Sequence, residues 1–144
     1  MTIKEIENSI IEKLNTDITD LKVEGYPDKP ETYRLNHPKG AILINYFGSD
    51  FGKPMLGEEL ESFIVQEEEE LFRCVISVRG LRDYQGIYSY IDRIKNSLMG
   101  YHPIDSLRCK KMYIKQIRFV SEEDGVWTYA MLLAVKLLTQ ESDE

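Results

Sequence analysis

Histidine and cysteine are scarce in this chain, two of each, and no two of the four stand at the short spacing that preassembles a metal site. His37 and His102 each precede a proline and read as exposed loop residues. Cys74 and Cys109 lie far apart, and Cys74 falls in the apolar register of a strand, so a disulfide framework is not indicated. Positive charge is also short. Lys and Arg number 18 against 25 Asp and Glu, for a net charge of -7 and a pI near 5.0. Tight nucleic-acid binding starts from clustered cations on a phosphate backbone, so no specific nucleic-acid partner is expected. No apolar run is long enough to span a bilayer, and the opening residues Met1 to Glu7 carry acid without an apolar leader core. The chain is therefore expected in the cytoplasm, with no membrane partner.

What is present is enough apolar sequence, 42% of 144 residues, to bury the core of one domain spanning residues 1–144. The organising unit runs from Leu71 to Pro103. Phe72, Cys74, Ile76 and Val78 alternate with Arg73, Val75, Ser77 and Arg79, the period of two that marks a strand with one wholly apolar face. Ile87, Ile91, Ile94 and Leu98 then recur at helical spacing, until Gly100 and Pro103 end the helix. A sheet face and a helix stripe that follow one another can bury each other.

The remaining elements follow from the same periods. Ile3, Ile6, Ile10 and Leu14 place a first helix over Thr2 to Leu14, with Thr2 as N-cap and Glu5 at the capping-box spacing. A short strand is expected from Ile18 to Val23, and no period is visible from Asp28 to Pro38. Ala41 to Phe47 reads as a strand buried on both faces and central in the sheet. Phe51 to Glu59 reads as a loop ordered by a partner. Glu67 to Glu70 fit either one long bent strand or a hairpin turning at the glutamates; strand alternation would put two carboxylates on each face, an arrangement expected only where both faces are exposed. Lys111 to Val120 and Val126 to Leu138 form the strongest hairpin, turning at Asp124-Gly125. The fold class is α+β in two layers: a mostly antiparallel or mixed sheet with two helices packed on one face.

No reacting centre emerges. Cys74 is a core residue rather than a nucleophile, because a thiolate between Phe72 and Ile76 would be costly. Ser49 lacks the Gly-x-Ser-x-Gly elbow, and the glutamates near it read as a solvated acidic segment. No catalytic, cofactor-binding or metal-binding residue is therefore assigned, and the chain is expected not to be an enzyme. Large side chains in loops and at element ends, among them Tyr26, Tyr33, Phe47 and Tyr84, point instead to protein contact. The candidate interface residues are Phe51, Met55, Leu56, Tyr101, Trp127 and Tyr129. The last strand is apolar on both sides, so two helices on one face leave the other to a neighbouring subunit.

The order and spacing of several landmarks resemble those of small Mu-like prophage tail proteins, which are similar to the tail terminators of long-tailed phages. The landmarks are Gly25-Tyr26-Pro27; Pro38-x-Gly40-Ala41-Ile42-Leu43-Ile44-x-Tyr46; Val78-x-x-x-Leu81 leading to Gly86-x-Tyr88; Leu98-x-Gly100-Tyr101-x-Pro103; and Asp124-Gly125-Val126-Trp127-x-Tyr129. The resemblance implies a ring-forming assembly protein, a homo-oligomer of six copies, that caps the tail tube and prepares it for head joining. Its implied partners are itself, the tail tube protein and the head-completion protein, with a place in the virion tail. The alternatives are a monomeric protein-binding adaptor of prophage origin and a small hydrolase needing convergence of His37, His102, Cys74 or Cys109.

Overall fold

The computed structural model describes residues 2–27, 35, 38–54, 64–80 and 85–141. Met55, Leu56, Tyr33, His37 and Tyr84 lie outside them. The elements run α1 (Ile3–Asp17), β1 (Lys22–Gly25), β2 (Gly40–Phe51), β3 (Val65–Arg79), α2 (Gln85–Leu98), β4 (Tyr113–Glu123) and β5 (Val126–Gln140). The five strands form one sheet in the order β1-β2-β3-β5-β4. Only β1 and β2 run parallel, so the sheet is mixed and mostly antiparallel. β2, read as central, is an interior strand between β1 and β3, and the centre is β3, because β5 and β4 both lie beyond it.

α1 begins where its sequence says it should: the Thr2 hydroxyl accepts the Glu5 amide at 3.1 Å, satisfying one of the donors a helix start leaves free. Ile6, Ile10 and Leu14 from α1 and Ile87, Ile91, Ile94 and Leu98 from α2 are buried against Phe72, Cys74, Ile76 and Val78 of β3. Both helices thus lie on one side of the sheet, and among the described residues no helix packs on the other. Ile18, read as the start of a strand, instead caps α1 through its amide to the Leu14 carbonyl. Asp20, in the turn that follows, accepts two bonds from Arg93 at 2.9 and 3.2 Å and one from the Tyr90 hydroxyl at 2.7 Å. That ties the α1–β1 turn to α2.

Gly40 opens β2 because nothing larger fits: a Cβ there would stand 2.2 Å from the Ser77 carbonyl oxygen. β2 does not stop at Gly48. It bulges between Tyr46 and Gly48 and continues to Phe51, pairing Ser49 with Glu70 and Phe51 with Glu68. β4 carries two further irregularities, between Ile114 and Gln116 and between Phe119 and Ser121. The β4–β5 reversal turns on Asp124 and Gly125, both at positive φ, 52° and 79°. That pair of dihedrals matches the right-handed twist of the strands it joins.

The glutamate tetrad corrects the sequence reading. Glu67 to Glu70 form part of one continuous strand, β3, paired without interruption to β5 from Val65 to Arg79. Alternation does divide them two and two, but Glu68 and Glu70 are 7% and 5% exposed on the helix side. Burial is tolerated because polar neighbours meet Glu68: the Ser49 hydroxyl donates to one carboxylate oxygen at 2.7 Å and the Thr139 hydroxyl to the other at 2.6 Å. Glu67 and Glu69 point to the helix-free side, where Lys136 and Lys115 pair with them at 3.8 and 2.8 Å.

Candidate interaction surface

The helix-free side of the sheet is assembled from the odd-numbered residues of β3 and the even-numbered residues of β5. Across its middle, Leu132 stands opposite Arg73, and Ala130 opposite Val75. β4 adds Gln116 beside Leu132 and Arg118 beside Ala130. Phe47, at the bulge in β2, lies on the same side. Phe47, Arg73, Gln116, Arg118, Val120, Ala130, Met131 and Leu132 line a shallow groove of about 230 Å³. Ala41, Leu43, Leu71 and Ala134 of this face are buried, whereas Phe47 and Val120 are more than half exposed. Phe47 and Val120 thus form an apolar rim in contact with solvent, the kind of surface that a further protein covers.

Two guanidinium groups border the groove. Arg73 lies 5.9 Å from the Phe47 ring centre and 5.4 Å from that of Tyr26, and its Nε donates to Asn45 Oδ1 at 3.3 Å. Arg118 is exposed on β4. Toward the Glu67 end of the same face the charges are matched instead. The Lys115 ammonium and the Tyr113 hydroxyl both donate to Glu69 and hold its carboxyl below the usual range, Lys115 being the larger cause. Burial, with Glu69 beside it, pushes the Tyr113 phenol up to about 12.

The residues singled out from sequence fall in separate places. Phe51 is more than half exposed at the end of β2, across from Glu68. Trp127 and Tyr129 lie at the opposite end of the sheet, half-buried on the helix side against the core. There they form an aromatic group with the exposed Phe119, whose ring is 6.1 Å from Trp127 and 5.5 Å from Tyr129. Tyr101 is half-buried and tethers the segment after α2 to α1: its hydroxyl meets Ser9 Oγ at 2.7 Å, and Lys13 sits over its ring. Met55 and Leu56 are outside the described residues. Of the groove residues, only Phe47 stood out in the sequence as a large side chain at an element end. Leu132, Ala130, Arg73 and Arg118 became legible as one surface only through strand register.

The helix side holds the groups an alternative chemistry would need. The Cys74 thiol is fully buried, and burial pushes it up to about 12. Cys109 is also a free thiol, pushed up by burial. His102 Nε2 lies 2.6 Å from the backbone oxygen of Cys109 rather than from its sulfur. No group of three or more metal-ligating side chains converges among the described residues. Glu70 lies two residues from Glu68 on the same face of β3, and burial together with the Glu68 charge pushes its carboxyl up to about 7. Among the described residues, no helix is long and apolar enough to cross a membrane.

A model of a protein family described as Gp37 protein matches residues 10–144. No curated protein matches the chain.

Proposed function

The chain belongs to the Gp37 family of phage proteins, and from that premise we propose that it is a non-enzymatic tail assembly protein, a terminator whose copies close into a ring of six. The ring sits on the end of the completed tail tube and leaves a surface for head joining. Its partners are further copies of itself, the tail tube protein and the head-completion protein.

One observation supports this reading above the others: among the described residues the sheet has helices on one side only, and its other side carries an apolar groove rimmed by Phe47 and Val120. A strand with apolar residues on both faces is stable when both faces are covered. Sister copies would supply that cover. A terminator must match the last layer of the tube on one rim and offer no tube-binding surface on the other, a task for a closed ring of identical contacts. The net charge of -7 suits a ring through which DNA passes without sticking. Electron microscopy of the protein mixed with its tube protein tests the proposal. Rings on tube ends, with tubes that cease to lengthen, are expected; tubes that grow unchanged, with bare ends, would contradict it.

A further inference from the structure

The helix-free groove combines an apolar floor with two guanidinium groups that meet no carboxylate among the described residues. Among the described residues neither Arg73 nor Arg118 has a carboxylate partner, whereas Lys115 and Lys136 on the same face are paired with Glu69 and Glu67. In a chain of net charge -7, unmatched guanidinium groups beside exposed apolar side chains select an acidic segment that also carries large apolar residues.

The chain contains one. Residues 55–63 read Met-Leu-Gly-Glu-Glu-Leu-Glu-Ser-Phe, three carboxylates interleaved with Met55, Leu56, Leu60 and Phe63. We propose that the groove takes this segment from a neighbouring copy of the chain. The inference deepens the self-association reading above and rests on it for its occupant.

Reach decides between the same copy and another. Ile64 is fixed at the margin of the sheet, its carbonyl accepting the Glu141 amide at 2.8 Å. Arg73 stands nine residues further along an unbroken strand, ~30 Å away at the rise of a β-strand. Glu59, Leu60, Glu61 and Phe63 all lie within five residues of Ile64, so even a fully extended chain carries them no further than ~17 Å. The backbone of these residues thus stops short of Arg73 in its own copy, and the occupant is assigned to another. Groove and segment are different surfaces, so the contact suits head-to-tail propagation from copy to copy, which gives a ring where the rotation per copy closes.

The test uses a fluorescent peptide of residues 55–63 added to the full chain, with binding read by anisotropy. Saturable binding is expected, weakened about tenfold or more by Arg118→Glu in the protein or by Glu→Gln at all three peptide carboxylates, and weakened by salt. The peptide variants leave the protein untouched, so loss of binding with them is not a folding defect. Absence of binding, or binding indifferent to both changes, overturns the proposal. Its failure is separable from that of the ring reading. Peptide binding by a protein that stays monomeric would uphold the groove and sink the ring. A ring whose assembly is unchanged by Arg73→Glu/Arg118→Glu would do the reverse.

Discussion

At Glu70 a carboxyl group lies on the apolar side of the central strand, two residues from Glu68 on the same face, with Cys109 also within electrostatic range. Glu68 has hydroxyl donors on both oxygens, whereas Glu70 Oε1 has no partner among the described residues. A neutral Glu70 is the form that burial beside a charged Glu68 favours. Its carboxyl is pushed from 4.5 to about 7, so the folded chain binds this proton more tightly than the unfolded one. The stability it contributes is complete below the unfolded value and is lost as pH rises through about 7. Asp20 and Glu69 act in the opposite sense. Arg93 and Lys115, their largest perturbers, hold them below the usual range, and what they contribute is lost only in acid. Thermal midpoints should therefore fall between about pH 5 and pH 8, and Glu70→Gln, which keeps a donor without a charge, should remove most of that fall. Equal slopes for the two proteins would show that Glu70 does not carry the effect. None of this was legible beforehand: four consecutive glutamates read as a solvated run, because the hydroxyls that admit Glu68 to the interior, Ser49 and Thr139, are 19 and 71 residues away in the chain.

Elements set by local signals were legible from sequence, and those set by pairing were not. The Thr2 cap, the α2 stripe from Ile87 to Leu98 and the Asp124-Gly125 turn all depend on residues within a few positions of one another. The extension of β2 past Gly48 depends on β3 continuing to pair beside it, and no local pattern in Gly48-Ser49-Asp50 announces it. The same holds for the groove, whose residues come from three strands brought into register and from Phe47 on a fourth. Phe72 tests the element on which the fold is centred. It is fully buried on β3 and meets Tyr46 edge-on at 5.7 Å. Phe72→Ala should lower stability by ~3–5 kcal/mol, measured by denaturant unfolding. At the hairpin, Gly125→Val forces a branched side chain into a left-handed conformation and should cost ~1–3 kcal/mol in the same assay. A loss well under 1 kcal/mol there would mean that β4 and β5 fix their register without the turn.

On the scale of the whole molecule, the arrangement is one-sided. α1 and α2 close one face of the five-stranded sheet, and the other face keeps Phe47 and Val120 in solvent at the rim of a groove. The long outer strand β4 is interrupted twice, and such bulges twist an edge away from indiscriminate pairing with other chains. The groove face, rather than the β4 edge, is thus the surface through which copies are expected to meet. The most direct measurement is the mass of the particle in solution, by sedimentation or light scattering, over a range of concentration and with tube protein present. A single closed oligomer of six is expected for the natural chain. Phe47→Ser/Val120→Ser, which alters only exposed side chains, should reduce it to monomer with its thermal midpoint nearly unchanged. A natural chain that remains monomeric at every concentration with tube protein present, or an oligomer indifferent to the double substitution, would contradict the account.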